Sequence, residues 1–317
     1  MISKTACVCV CAGLLAVAGC SDPTSQGKGT ERFTTWGEAF IEDRIPAGDG
    51  TTGFIDGWSV KYQKFLVNYH EIVVADAAGQ VAAKLTKPRF VDNTKLGEKE
   101  LVTFQDLDAK AYTQVTYQIK TAVLDEDIVG DADPADLAMM VQEGLSVYVE
   151  GEATKRNPEN PAQTLAKTFH WGFKTQTSYK NCHTEENGIT TDGVVVTTNA
   201  TDTSQLTTHG DHLYYDSLQS GENAKPTAIR FEEKALADDG ENGNGDGEVS
   251  LQELCKENID PDVYNTSGLP GATIGDFVIS LARTIGHFRG EGECTIKRID
   301  PWPPGLNEES PPCAEYE

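Results

Sequence analysis

The feature that most restricts the fold of this chain is a period-two alternation of apolar residues, which recurs in several separate segments. Successive side chains of a β-strand point to opposite faces, so this spacing is typical of strands with one buried face. Such segments occur at 58–62, 65–69, 115–119, 145–149, 169–173 and 213–215. Because few helical stretches separate them, we predict a mainly β chain with an antiparallel sandwich or barrel-like body.

The first of these segments contains a break in its own period. The alternation of residues 58–62 resumes at Phe65 with its phase moved by one residue. One extra residue in a strand, a β-bulge, produces such a shift. We therefore predict a single long strand with a bulge near Gln63 and Lys64.

Two segments show helical patterns instead. Asp133 and Pro134 are typical of an N-cap and a first helical turn, and Gly144 is typical of a helix end. Further along, apolar residues at three- and four-residue spacings predict an amphipathic helix over 274–288.

The N-terminus has the layout of a bacterial export signal. Lys4 precedes a largely apolar stretch that is too short for an ordinary membrane-spanning helix. The stretch ends in Val-Ala-Gly-Cys at residues 17–20, which resembles the lipobox of bacterial lipoproteins. This resemblance implies cleavage before Cys20 and a lipid on that cysteine. An ordinary secretion signal is the alternative.

A lipid on Cys20 would make a membrane the first partner of this chain. Acyl chains contribute roughly 0.8 kcal/mol per buried CH₂, so two or three chains form a firm anchor. Ser21 resembles the residue that follows the lipidated cysteine in outer-membrane lipoproteins. We therefore expect a location in the cell envelope, at the outer membrane, facing the periplasm or the surface.

The charge of the chain is strongly acidic, with 26 basic and 50 acidic residues. Such a surplus of negative charge repels phosphate backbones, so nucleic-acid binding is not expected. Cations, or an unidentified protein or glycan, are more suitable partners.

The cysteines agree with export. With residues 1–19 removed and Cys20 lipidated, four cysteines remain: Cys182, Cys255, Cys294 and Cys313. An even number in an oxidising compartment favours two disulfides, for which three pairings exist. We favour Cys182 with Cys294 and Cys255 with Cys313.

The segment 242–253 resembles the EF-hand calcium loop, which carries ligands at positions 1, 3, 5, 7, 9 and 12. The corresponding residues are Asn242, Asn244, Asp246, Glu248 through its backbone carbonyl, Ser250 and Glu253. Gly247 occupies position 6, where the backbone turns sharply. Residues 229–237 and 250–258 can form the flanking helices, so we predict one calcium ion here, with a structural role.

Two features of this loop allow other interpretations. Position 1 is Asn242 where the family usually has aspartate, which leaves two carboxylates and predicts weak binding. Ser250 and Glu253 also form the pattern of a capping box, which starts a helix without a metal ion. A plain acidic turn is the third possibility.

A second polar cluster is the sequence His209-Gly-Asp211-His212. In a strand, His212 points away from the other two side chains, so three ligands require a turn at the glycine. Zinc or copper could then bind His209, Asp211 and His212, or a distant histidine such as His183 or His287. For His287, a position near the C-terminal end of its predicted helix is the simpler interpretation.

No catalytic motif is present in the sequence. His70-Glu71 lacks the second histidine of H-E-x-x-H, and no G-x-S-x-G occurs. We therefore expect a binding or structural protein stabilised by calcium. A copper- or zinc-handling protein is the alternative, and a cell-surface hydrolase is a lesser one.

Several motifs together are similar to those of a group of lipoproteins from myxobacteria and their relatives. They are Gly57-Trp58, the segments 170–173, 208–212 and 286–294, and the EF-hand-like loop. The resemblance implies architecture and location, and no activity. The predicted organisation is a signal peptide (1–19), a flexible tether (20–32), a β-rich domain (33–225), a helical EF-hand-like region (226–296) and a Pro-rich tail (297–317).

Overall fold

The chain is mainly β in the computed structural model, which describes residues 27–186, 188–218, 228–299, 307 and 309–316. Its strands are β1 (Lys28–Trp36), β2 (Trp58–Ala75), β3 (Val81–Lys84), β4 (Arg89–Asp92), β5 (Lys99–Asp108), β6 (Ala111–Tyr112), β7 (Gln114–Ile119), β8 (Asp127–Val129), β9 (Val147–Arg156), β10 (Thr164–Phe173), β11 (Thr177–Glu186), β12 (Ile189–Asp192), β13 (Val194–Val195), β14 (Thr201–Thr208), β15 (Glu248–Val249), β16 (Gly286–Phe288) and β17 (Glu293–Arg298). Its helices are α1 (Glu38–Glu42), α2 (Pro134–Glu143), α3 (Glu232–Asp239), α4 (Leu251–Leu254) and α5 (Ile274–Leu281), with 3₁₀ turns at Asp211–Tyr214 and Pro312–Glu315.

Two curled sheets form a half-barrel. The larger sheet is built on β2, which pairs with β9, β7, β4 and β3, and the smaller has the order β16-β14-β1-β5. The prediction of antiparallel pairing is correct for most of these contacts but not for all. β1 pairs with β14, β10 with β15 and β4 with β8 in parallel. Long connections join the paired strands and so permit parallel pairing, whereas a hairpin permits only antiparallel pairing.

The predicted bulge in the first long strand is confirmed. The pairing of β2 with β9 shifts register between Tyr62 and Lys64, which lie opposite Gly151 and Glu150. The extra residue keeps the apolar side chains on the core side of the sheet in both halves of the strand.

An aromatic cluster fills the core between the sheets and the helices. Phe169, Trp171, Tyr214 and Phe231 lie with neighbouring ring centroids between 4.7 and 6.5 Å apart. The indole nitrogen of Trp171 donates to the carbonyl oxygen of Val249 at 2.8 Å, which satisfies its only polar atom in the core. This bond attaches β10 to β15, the short strand within the EF-hand-like loop.

Helix α2 has the predicted ends. The side chain of Asp133 accepts from the amide of Ala135, and Pro134 is the first helical residue. Gly144 ends the helix in the left-handed conformation, at φ 70°.

The residues after 228 do not form a separate helical region, which corrects the predicted boundary between 33–225 and 226–296. Strands β15, β16 and β17 join β10, β14 and β11 of the two sheets. Apolar residues of α4 and α5 belong to the same core as those of β2. These helices have eight residues or fewer, so their stability depends on packing against the sheets.

The predicted tether 20–32 is too long. Strand β1 begins at Lys28, and Gly29, Glu31 and Phe33 are buried in alternation. The polar composition of this segment did not indicate a strand. The β-propensity of a residue depends on its neighbours in the sheet, which the sequence does not show. Residues 1–26, with the predicted signal and Cys20, lie outside the described residues. Among those described, no helix has both the length and the apolar character to span a membrane.

The helix predicted from the amphipathic pattern at 274–288 is longer than the observed one. Helix α5 ends at Leu281, and strand β16 begins at Gly286. A side chain at Gly286 would approach the Tyr117 hydroxyl to 2.5 Å, so this glycine permits the strand to pack closely. The predicted strand at 213–215 is also wrong, because Leu213 and Tyr214 form part of the 3₁₀ turn.

Two disulfides have the favoured pairing. Cys182 bonds to Cys294 and joins β11 to β17, while Cys255 bonds to Cys313 and joins α4 to the tail. In the tail predicted at 297–317, Cys313 also donates its amide to Asp276 at 2.9 Å. The described part of the tail is therefore attached to α5.

Candidate metal centre

A turn after β14 brings His209, Asp211 and His212 together. Gly210 packs against Ile41 and the ring of Tyr62, and the Tyr62 hydroxyl donates to the Gly210 carbonyl at 2.6 Å. The chain then forms the 3₁₀ turn Asp211–Tyr214. This is the turn at glycine that three ligands require, so the structure brings the three predicted side chains onto one site.

Strand β16 adds a third histidine to this site. His287 pairs with Thr207, near the end of β14, and His209 lies two residues beyond that position. The ring centroids of His209 and His287 are 4.3 Å apart. His287 therefore does not lie at a helix end, which corrects the simpler sequence interpretation.

The three imidazoles form a buried cluster. The ring of His212 lies 5.2 Å from that of His209 and 4.9 Å from that of His287. All three residues, and Asp211, have less than a tenth of their surface exposed. The ring of Tyr215 lies beside that of His212, tilted by 36°, with the ring centroids 4.4 Å apart.

Two groups of three possible ligands share His209. In the inner triad, defined as His209, Asp211 and His212, the ligand atoms lie within 4.8 Å of one another and every residue is buried. In the outer triad, defined as His209, His287 and Glu291, the same spacing holds and Glu291 is exposed. Each triad has the nitrogen and carboxylate ligands that bind zinc and copper.

Hydrogen bonds leave one nitrogen of His212 and one of His287 available, whereas both nitrogens of His209 face an acceptor oxygen. Nδ1 of His209 faces the Glu38 carboxylate at 3.3 Å. The Thr284 hydroxyl donates to the Leu281 carbonyl, so it accepts from Nδ1 of His212 at 3.0 Å and leaves Nε2 as the lone-pair nitrogen. Nδ1 of His287 is buried and has no hydrogen-bond partner. Carboxylates and hydroxyls hold metal-binding histidines in this manner.

One carboxylate oxygen in the cluster is also unsatisfied. The Tyr215 hydroxyl donates to Oδ2 of Asp211 at 3.1 Å, whereas Oδ1 is buried without a hydrogen-bond partner. A buried polar atom without a partner costs about 1–3 kcal/mol. Nδ1 of His287 is a second such atom; Asp211 belongs to the inner triad and His287 to the outer triad.

Burial determines the protonation of the cluster. It lowers the pKa of His212 to about 3 and that of His287 to about 2, with the neighbouring histidines adding to the effect. Burial also raises the pKa of Asp211 and of Glu38, and His209 opposes both shifts. His212 and His287 are thus neutral at physiological pH, which is the form that binds metals.

Glu38 has an unusual backbone for its position beside His209. Its φ is 55°, in the left-handed region, which costs of order 1–3 kcal/mol for a residue with a side chain. Strain of this kind persists where the surrounding structure imposes it. Here it directs a carboxylate at a candidate metal ligand.

Two further histidines lie elsewhere. His183 belongs to β11, where Nδ1 lies 3.4 Å from the Asn181 carbonyl oxygen, and His170 faces outward beside Glu248. Sequence reasoning missed Glu38 and Glu291, because acidic residues are so numerous that none of them is distinctive. The glycines around His287 were the available sign that this segment is not helical.

The EF-hand-like loop forms a compact turn between α3 and α4. Ser250 and Glu253 bond reciprocally as a capping box, with the Glu253 carboxylate accepting from the Ser250 amide at 2.9 Å. Its other oxygen accepts from the amide of Asn244 at 3.2 Å. Val249 pairs with Phe169 of β10. The capping box is therefore present, and calcium binding stays a prediction.

The loop is held by a residue outside the predicted ligand set. The buried carboxylate of Asp238 accepts from the amides of Asp246 and Gly247 at 3.1 and 3.0 Å, and from Lys167 at 2.6 Å. Asn242, predicted as the first ligand, instead donates to the Glu257 carboxylate at 2.9 Å. The flanking helices are also shorter and differently placed than the predicted 229–237 and 250–258.

No protein family, curated protein or solved structure matches this chain.

Proposed function

We propose that this chain is a lipid-anchored protein of the cell envelope that binds one divalent transition-metal ion, zinc or copper, at the histidine cluster. The observation that carries the proposal is the inner triad, whose ligand atoms converge within 4.8 Å in a buried site. An ion held by these three residues keeps a fourth position open, as in zinc sites with three protein ligands.

A metal ion explains features that hydrogen bonding within the protein does not. Three imidazoles and a carboxylate are gathered where each must lose most of its water. Oδ1 of Asp211 remains without a partner. Coordination in the inner triad would stabilise the cluster by replacing the lost hydration of this oxygen.

The site favours holding the ion over catalysis. Each member of the inner triad is more than nine-tenths buried, which leaves little space for a substrate beside the ion. We therefore propose metal binding or handling as the activity, in preference to the hydrolase alternative.

Zinc titration of the oxidised full chain in mild detergent tests this proposal. After treatment with EDTA, the chain is expected to bind one equivalent of Zn²⁺ at the cluster. It is also expected to gain about 2.7 kcal/mol of stability when free zinc reaches a hundred times its dissociation constant. Isothermal titration calorimetry and thermal unfolding measure both quantities. Equal zinc binding by the wild type and by His209→Ala would refute the proposal, because binding at the N-terminal cysteines is common to both chains.

A calcium ion in the loop 242–253 is a second candidate function, with a structural role. The supporting observation is that Glu253 turns one oxygen to the Asn244 amide and so faces the loop interior. The ligands proposed are Asn244, Asp246, Glu248, Ser250 and Glu253, with Asn242 rotating away from Glu257 to complete the set. Asp238 holds the loop amides before the ion arrives.

We expect millimolar calcium to raise the melting temperature and Glu253→Gln to remove most of that rise. Glutamine keeps the capping box through its one carbonyl oxygen but loses the acceptor for the Asn244 amide, so a small fall in the calcium-free melting temperature is expected. Glu241→Gln, at an exposed position just before the loop, is the matched control. Differential scanning calorimetry with calcium or EDTA measures the effect, and equal melting temperatures for the wild type in both buffers would contradict it.

The lipid anchor rests on the residues 17–20 and has its own test. We expect Cys20→Ser to move the chain from the membrane fraction to the soluble fraction of the cell envelope, because the thioether attachment point is lost. Fractionation with immunoblotting, and incorporation of labelled palmitate, measure the change. Labelling that persists in the variant would contradict it.

A further inference from the structure

We propose that the metal ion reaches the inner triad through the outer triad, with Glu291 as the first ligand and His209 as the ligand common to both positions. This inference rests on the proposed function. The proposed function names the ligands of the ion, and this inference adds the path by which the ion reaches them.

The two triads differ in their access to solvent. Glu291 is exposed, whereas His209, Asp211, His212 and His287 are buried. An ion in water therefore meets the outer triad first. Because His209 belongs to both triads, the ion can exchange Glu291 and His287 for Asp211 and His212 without losing every protein ligand.

The turn that carries Glu291 covers His209. The amide of Phe288 donates to the carbonyl of Gly292 at 2.9 Å, which closes the turn. The amide of Gly290 donates to the Thr207 hydroxyl at 2.9 Å, and its carbonyl oxygen lies 3.4 Å from Nε2 of His209. Gly290 adopts φ 80°, which glycine reaches without steric cost. The turn places Glu291 at the mouth of the site.

The mouth is acidic on each side that faces His209. Glu38 comes from α1, Glu291 from the turn after β16 and Asp211 from the 3₁₀ turn, and the Glu38 carboxylate lies 3.3 Å from Nδ1 of His209. Glu293 on β17 follows Glu291 by two residues. Carboxylates around a partly buried opening attract cations and raise their rate of association.

A stepwise route also lowers the cost of dehydration. Direct movement into the inner triad would remove the ion's water while all its new ligands are buried. In the outer triad, an exposed carboxylate replaces part of that water while the rest remains. The ion then passes from the outer to the inner triad while it stays bound to His209.

Stopped-flow measurement of zinc uptake from a chromogenic chelator tests the route. With the oxidised full chain, Glu291→Gln is expected to lower the association rate constant about tenfold. Its dissociation rate constant should fall by a similar factor, so that the equilibrium affinity changes by less than about threefold, because the inner triad is intact. Glu100→Gln, an exposed glutamate on β5, is the matched control. Asp211→Asn should accelerate dissociation and leave association close to the wild-type rate.

The outcomes separate the two proposals. An unchanged association rate in Glu291→Gln, with zinc still bound, overturns the route alone. A loss of affinity that comes only from faster dissociation in this variant also overturns the route, since Glu291 would then be a ligand of the final site. Absence of zinc binding at the cluster of the wild type overturns the proposed function.

Discussion

Replacing His209 with alanine is expected to lower the zinc affinity of the chain by about 100-fold or more. His209 belongs to both triads, so its loss leaves two ligands in each. Changes in residues that only orient a ligand already cost about 10–100-fold in metal affinity. Loss of the shared ligand should therefore exceed the effect of His212→Ala or His287→Ala, each of which removes a member of one triad.

Calorimetric titration of the EDTA-treated variants measures this order of effects. His170→Ala is the matched control, because His170 is half-exposed and lies outside the cluster. The melting temperature of each metal-free variant shows whether the fold is retained. Equal losses of affinity for His209→Ala and His170→Ala would show that the cluster is not the zinc site.

Replacing Lys234 with methionine is expected to stabilise the chain by as much as about 3 kcal/mol at pH 7. Lys234 is fully buried, between the rings of Tyr214 and Tyr264, and burial lowers its pKa to about 8. Compared with the ordinary value of 10.5, this difference corresponds to about 3 kcal/mol at 1.36 kcal/mol per pH unit. Methionine has a similar length and no charge to desolvate.

The pH dependence of this gain has a definite sign. Below pH 8 the lysine is protonated in both the folded and the unfolded chain, and the full cost of burying its charge opposes folding. Between pH 8 and 10.5 the unfolded chain binds more protons at this site, so the free energy of unfolding of the wild type rises with pH. The advantage of Lys234→Met should therefore disappear over this interval.

Urea unfolding at pH 7, 8, 9 and 10 measures the difference between the two chains. The buried tyrosines of both chains have raised pKa values, and their effect cancels in the comparison. Lys61→Met, at an exposed position on β2, is the matched control. A variant less stable than the wild type, or a difference that does not change with pH, would show that burial of the Lys234 charge does not destabilise the fold.

Part of the candidate site could be predicted from the chain because its signals are local. Asp211 and His212 follow His209 within four residues, and Gly210 permits the turn that joins them. The capping box of Ser250 and Glu253 is local in the same sense. Both predictions depend on neighbouring residues, whose geometry the backbone limits to a few conformations.

His287 and Glu291 could not be assigned in this way. The apolar spacing of 274–288 fits a helix, and only the pairing of β16 with β14 makes its last residues a strand. That pairing exchanges helical hydrogen bonds for bonds between distant segments, and intrinsic propensity does not include it. The role of Asp238 could not be predicted for the same reason. Its carboxylate holds the acidic loop by accepting hydrogen bonds from two loop amides and from Lys167, which is distant in sequence.

Local patterns in the sequence predict the mainly β character of the chain, the bulge in β2 and both ends of α2. Alternation, phase shifts and caps each arise within a few residues, so their physical causes are contained in short segments. Contacts between distant segments produce the parallel pairings, the single core that includes the C-terminal helices, and the shared position of His209 between two triads. These features depend on which distant strands pair, and the burial of apolar surface over the whole chain selects that pairing.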